Sequence, residues 1–149
     1  MDSITVRATR GEDYDAWLRL YHGYADHYQV SLTEAGIATT WGWLMDAAHP
    51  LTGFVAEAGV GLVGLAHIRA MPSPLRGAEI GFLDDLFVDP ASRGQRIGAA
   101  MLEMLRDHGR QQGWPMIRWI TRDNNYRARG LYDSHAAKSD WNTYEMMCD

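Results

Sequence analysis

The run from residue 79 to residue 112 constrains this chain more than any other. EIGFLDDLFV is its longest strand candidate and DPAS turns the backbone. RGQRIGAAMLEMLRDHGRQQ then carries an apolar stripe at Ile97, Met101, Leu102 and Leu105, with Gly113 as a C-cap and Pro115 just beyond. The strand therefore opens directly into an amphipathic helix predicted from Arg93 to Gln112. Free backbone N–H groups in the first turn, with the positive end of the helix dipole behind them, make a site for phosphate. Gly94 lets the backbone approach closely, Gly98 leaves space for a ligand lying across the helix start, and Arg93 and Arg96 add positive charge. The same residues also fit an ordinary helix with two packing glycines.

The flanks supply the other layers. Residues 4 to 9 alternate like a strand, and Trp17, Tyr21, Tyr24 and Tyr28 follow on helical turns. SLTE at 31 to 34 has the capping-box form before Ile37, Trp41, Leu44, Met45 and Ala48, and His49-Pro50 ends that helix. Residues 51 to 70 read as two strands around a glycine turn. MIRWIT is a further strand, NNYRARGLYD a short helix, and Trp141 to Met147 a final strand. The predicted order is βααβββαβαβ in one domain over residues 1–149. GVGLVG at 59 to 64 matches G-x-G-x-x-G, with Glu79 about twenty residues on. Only LAHIRAM separates Gly64 from Pro72, too little for a crossover helix, so a hairpin is expected there.

Charge and composition exclude several classes. A net charge of −5 disfavours nucleic acid and anionic membrane as partners and favours cationic ones. The lone Cys148 leaves no internal disulfide and no cysteine-ligated metal, as suits a reducing cytoplasm. The six histidines lack any H-x-x-x-H spacing, so no metal is expected. MDSITVRATR has no apolar segment of the kind a cleaved signal needs, and no window approaches the ~18 apolar residues of a membrane span. Neither G-x-S-x-G nor G-K-[ST] is present.

Residues 93–98, RGQRIG, resemble motif A of the GNAT superfamily of N-acetyltransferases, Q/R-x-x-G-x-G/A at a strand-to-helix junction. Arg96 stands where that family usually has its first glycine. NYRARGLYD is similar to the family's N-x-x-A-x-x-L-Y through Asn125, Ala128, Leu131 and Tyr132. DDLFVDP and the W-x-T of Trp119 to Thr121 resemble the branch containing polyamine and histone-type acetyltransferases. The resemblance implies an α/β fold with a mixed, mostly antiparallel sheet, splayed between its fourth and fifth strands and flanked by helices. It implies direct transfer of an acetyl group from acetyl-coenzyme A, the acyl donor, to a primary amine. Leu86, Phe87 and Val88 would pair with the pantetheine arm. Backbone N–H groups of Arg93, Gly94, Gln95, Arg96, Ile97, Gly98 and Ala99 would hold the pyrophosphate, and Asn125 would contact pantetheine near the wedge. The family's habit suggests a homodimer.

Acetyl transfer to an amine needs the amine neutral and the departing thiolate protonated. Tyr132 matches the family position whose hydroxyl lies near the coenzyme sulfur, which makes it the candidate general acid; its helical stripe also suits a core tyrosine. Asp84 and Asp85 interrupt an apolar strand, and strict alternation sends one carboxylate to each face. Burying an idle carboxylate is expensive, so a use is expected. Asp84 matches an acidic substrate contact and is the candidate base, Asp85 a candidate substrate ligand, and Glu79 a weaker alternative base. His27 and Tyr28, with Tyr24, are candidate walls of an acceptor pocket, whereas His67 reads as a hydrogen-bonded interior residue. The expected acceptors are polyamines, lysine-like small amines or a peptidyl lysine. The alternative is a noncatalytic acyl-coenzyme-A-binding or regulatory module on the same fold.

Overall fold

Alternating apolar residues in the central strands sort the molecule into two cores, one on each face of a sheet. The computed structural model describes residues 3–59 and 61–149. Its elements are β1 (Thr5–Ala8), α1 (Tyr14–His27), α2 (Glu34–Met45), β2 (Leu51–Ala58), β3 (Gly61–Ser73), β4 (Ala78–Val88), α3 (Ile97–Gln112), β5 (Ile117–Arg118) and α4 (Tyr126–Asp133). The strands lie in sequence order, β1-β2-β3-β4-β5. The first three pairings are antiparallel and β4–β5 is parallel. This is the expected mixed α/β architecture.

Val55, Leu62, Leu65 and Phe87 face α1 and α2, where they pack with Trp17, Leu20 and Ile37. Phe54, Ala56, Val63, Ala66, Ile68 and Leu83 face α3 and meet Ile97, Met101, Leu102 and Leu105. Each such fully buried aliphatic or aromatic side chain contributes about 1.5–3 kcal/mol. Trp17 is wholly buried, and its truncation to alanine would cost about 3–5 kcal/mol. Arg7 of β1 clamps the start of α1 by bonding both carboxylate oxygens of Asp13, at 2.8 and 2.9 Å. That bond holds Asp13 below the usual carboxylate range.

β2 and β3 pair out to Ala58↔Gly61, so the glycine-rich stretch is a hairpin. Other boundaries differ from expectation. The α2 cap is Thr33, whose hydroxyl accepts from the Gly36 N–H, rather than Ser31. α3 begins at Ile97 instead of Arg93, because Gly94 and Arg96 have φ of 87° and 62°, incompatible with a right-handed helix. It ends at Gly113, also left-handed at φ 78°. β5 keeps only Ile117 and Arg118 of MIRWIT. No strand forms over Trp141–Met147: the segment is exposed and makes no ladder with a neighbour, without which a lone strand has nothing to bond. The order is therefore βααβββαβα. Among the described residues no helix is long and apolar enough to cross a membrane.

Candidate active site

β4 is bonded to β5 only at Gly81↔Ile117 and Phe82↔Arg118, yet it runs on to Val88. Past Phe82 the two chains have no shared ladder, and a cavity of about 590 Å³ opens there. Leu86, Phe87 and Val88 form one wall, Arg93 to Ala99 without Gln95 another, and Asn125, Ala128, Leu131 and Tyr132 of the α4 region a third. His27 and Tyr28 also line it, with Tyr24.

The floor of the phosphate-like cradle is backbone. Asp89 accepts from the Ala91 N–H and holds a short turn over Pro90–Ser92. The left-handed residues at 94 and 96 then swing the chain into α3. Arg96 closes the helix start at φ 62°, ψ 26° and caps nothing with its side chain. The N–H groups of Ile97, Gly98 and Ala99 belong to the first turn, which has no intrahelical acceptors for them, and these residues line the cavity together with Arg93, Arg96 and Arg127. This donor set suits a diphosphate. Arg96 occupies a conformation that costs a side-chain-bearing residue about 1–2 kcal/mol, which is why a glycine serves well there. Arg96 is exposed and lines the cavity. Gly98 also lies close to α4: a Cβ there would stand 2.7 Å from Leu131 Cδ2. The missing side chain lets the Leu131 side chain of α4 approach α3.

Asn125 caps α4, its side-chain oxygen accepting from the Ala128 N–H at 3.4 Å. One turn after Ala128, Tyr132 rests edge-on against Trp119, ring centres 5.3 Å apart. Burial, with a smaller contribution from Tyr28, pushes its phenol up to about 12. The hydroxyl therefore keeps its proton at neutral pH, as a donor must.

The acidic pair lies on a single face. The β3–β4 register passes from His67↔Asp85 to Ile68↔Leu83, so Asp84 is the extra residue of a bulge. The bulge cancels the alternation, and both carboxylates face the α1–α2 side with His67 and Arg69. Asp84 accepts from Arg69 Nε at 2.8 Å, and Arg69 lies over Phe82. Asp85 accepts from His67 Nδ1 at 2.7 Å and from the Tyr21 hydroxyl at 3.2 Å, with the Tyr24 hydroxyl turned toward it. Trp17 Nε1 donates to His67 Nε2 at 2.9 Å. An indole N–H can only donate, so Nε2 accepts and Nδ1 carries the hydrogen that faces Asp85. Burial works to raise Asp85, but the bonds from His67 and the two tyrosines hold it below the usual carboxylate range. Conversely, burial first and the Asp85 charge second push Tyr21 and Tyr24 up. Neither Asp84 nor Asp85 lines the cavity; Tyr24 lines it and reaches toward Asp85, joining the two regions. Gln95 is exposed outside the cavity, and Glu79 is exposed near the start of β4.

The model of the Acetyltransferase (GNAT) family matches residues 17–136. The chain belongs to the GNAT acetyltransferase family. GNAT enzymes transfer acetyl groups from acetyl-coenzyme A, and the cradle and cavity are suited to that donor. Over 142 residues the chain is 28% identical to D-amino-acid N-acetyltransferase HPA3 of Saccharomyces cerevisiae, covering 93% of this chain and 88% of that protein. Its fold is shared with a ribosomal-protein-alanine N-acetyltransferase of Brucella melitensis biovar Abortus 2308, with TM-score 0.81, 21% identity, and 98% and 99% of the two chains covered. It is likewise shared with aminoglycoside N-acetyltransferase AAC(6')-Iy, solved with coenzyme A, with TM-score 0.81, 15% identity, and 99% and 96% covered.

For a GNAT chain, the residues that sequence reasoning missed are those reaching the site from a distance. Trp17, Tyr21 and Arg69 surround the acidic pair, and Arg127 and His135 border the donor cavity. Arg127 had a signal, since it sits inside the second motif. The Trp17–His67 contact spans fifty positions and had none.

Proposed function

We propose that this acetyltransferase acetylates the primary amine of a small amino acid or related amine, with Tyr132 as proton donor to the thiolate. The observation that carries this reading is the cavity itself, which joins an anion-binding helix start at one end to a phenol that holds its proton at the other. The amine nitrogen bonds to the acetyl carbon, the carbon–sulfur bond breaks, Tyr132 gives its proton to sulfur, and the proton leaving the amine passes through water to restore the phenol. Leu86, Phe87 and Val88 align the donor's arm, and the main-chain donors of Ile97 to Ala99 hold its diphosphate. Asn125, already spending its oxygen on α4, offers its N–H₂ to the same arm.

At the acceptor end, Asp84 is already engaged by Arg69 at 2.8 Å. Among the described residues Asp85 has no arginine or lysine partner: its ligands are an imidazole N–H and phenols. Its charge is offered through Tyr24 to the positive charge that grows on the attacking nitrogen, and His27 and Tyr28 wall the same space. Arg122, 5.7 Å over the Tyr28 ring, supplies a cation for a substrate carboxylate. A cation and an anion together favour an amino acid over a polyamine or a lysine side chain. The named activity of the yeast relative agrees with that choice.

The test is release of free coenzyme A from acetyl-coenzyme A against D- and L-amino acids, polyamines and lysine peptides. Fastest turnover on amino acids is expected. Preference for a polyamine or lysine peptide would overturn the acceptor assignment, and tight coenzyme A binding without product from any amine would favour a noncatalytic acyl-coenzyme-A-binding module.

A further inference from the structure

α1 carries a glycine at position 23, in a helix interior where only proline is less favourable. The reason lies on the facing strand: a Cβ there would stand 3.1 and 3.2 Å from Cζ and Cε2 of Phe87. Bare backbone lets the Phe87 ring sink against the helix, which leaves that residue 8% exposed. Phe87 still lines the donor cavity, so the space beside β4 is deeper by what Gly23 leaves out.

Phe87 belongs to a continuous aromatic wall. Centre to centre, its ring lies 6.1 Å from Tyr24, Tyr24 lies 5.0 Å from Tyr28, and Tyr28 lies 4.9 Å from His27. All four line the cavity. Three of them are held from behind: Phe87 backs onto Gly23, the Tyr24 hydroxyl is turned toward Asp85, and the Arg122 guanidinium stands 5.7 Å over Tyr28. Tyr132 lines the same cavity from α4, near enough to Tyr28 for that phenol to help raise it. A ring already in contact on its far side has nowhere to retreat, so the wall is stiff.

We propose that this wall, its depth set by Gly23, is an acyl-length filter that admits an acetyl group and refuses longer chains, with Phe87 as the limiting side chain. The inference rests on the reading of the cavity as the acyl-donor site and adds which donors that site turns away. Val88 is the last residue of β4 before the turn that leads to the cradle. An arm laid from the cradle past Val88 and Phe87 to Leu86 brings its thioester between Tyr132 and the α1 rings. Carbons beyond the thioester carbonyl then meet the wall. A methyl group fits in front of it, whereas each further methylene must displace a packed ring, and overfilling a packed site is unfavourable. An open apolar pocket would do the opposite and hold each longer chain more tightly. The sign of the trend therefore separates a filter from a pocket.

The experiment is isothermal titration calorimetry of the full chain with free coenzyme A and with acetyl-, propionyl- and butyryl-coenzyme A. It is repeated on Phe87→Ala and Gly23→Ala, with circular dichroism to confirm folding. Neither an acceptor nor turnover enters, so the result is independent of the amine and of the role of Tyr132. The parent is expected to bind butyryl-coenzyme A about tenfold or more weaker than acetyl-coenzyme A. Phe87→Ala should bring the two within about threefold of each other. Gly23→Ala, which drives the Phe87 ring toward the cavity, should lose affinity already at propionyl-coenzyme A, beyond the parent's own loss. Affinity in the parent that holds level or rises from acetyl to butyryl would overturn the proposal, as would a folded Phe87→Ala that discriminates like the parent. Should Phe87→Ala fail to fold, Gly23→Ala decides: no added loss at propionyl overturns the filter. Absence of binding by free coenzyme A would remove the donor reading itself, and the filter with it.

Discussion

The donor wall and the acceptor end are built in opposite ways. The donor wall is main chain: two left-handed residues, Gly94 and Arg96, two positions apart in sequence turn the strand–helix junction into a cradle, and side chains matter mainly where they are absent. The acceptor end is side chain: Asp85 is held by His67 from the neighbouring strand and by Tyr21 from a helix 64 positions away. A backbone site tolerates changes of side chain that keep φ. A site of converging side chains fails when one member is lost, because a buried group is left unpaired.

That contrast predicts a ranked set of responses. Tyr132→Phe removes the proton donor proposed for the departing thiolate, and turnover should fall on the order of a hundredfold or more with coenzyme A affinity kept. Unchanged turnover would remove Tyr132 from the chemistry. Asp85→Asn should come next, lowering kcat/KM for the amine about thirtyfold by removing about 2 kcal/mol of charge interaction, while KM for acetyl-coenzyme A stays put. A parallel rise in both KM values would mean that the two regions are not separate. On the donor wall, Gly94→Ala forces a Cβ onto φ 87° and should cost about 1 kcal/mol, read in thermal melts and as severalfold weaker coenzyme A binding. Arg96→Gly should bind coenzyme A about as well as the parent and melt no lower, since it relaxes the left-handed residue; a large loss would show that the guanidinium, not the backbone, makes the site.

The smallest effects lie in pH. Folding lowers the Asp85 carboxyl, so its contribution is complete above the ordinary carboxylate value and is lost as pH falls through the folded one. Tyr132 is raised from about 10 unfolded to about 12 folded, so its contribution is complete below the first value and lost as pH climbs through the second. Denaturation curves of Asp85→Asn and Tyr132→Phe should flatten the acid and alkaline limbs respectively; a variant that leaves its limb unchanged contradicts the assignment.

The same contrast explains what the sequence disclosed. RGQRIG and NYRARGLYD are contiguous, so the strand-to-helix junction and the short α4 helix were legible as elements, whereas the roles of Arg93 to Ala99, Asn125 and Tyr132 came from the family resemblance; the helix start was not legible, because positive φ at Arg96 has no signature in a residue of that type. The acidic pair was legible as residues but not as geometry. One bulge at Asp84 reversed the expected split between faces, and bulges follow from pairing across strands that a single-sequence pattern does not see. Trp141–Met147 has strand composition without a strand, since pairing needs a partner as well as propensity.

The donor wall is tested most directly by nuclear magnetic resonance of the nitrogen-15-labelled protein titrated with coenzyme A. A main-chain cradle predicts that the amide signals of Ile97, Gly98 and Ala99 shift most, in the parent and equally in Arg96→Gly. Saturable binding that leaves those three amides unmoved would contradict it.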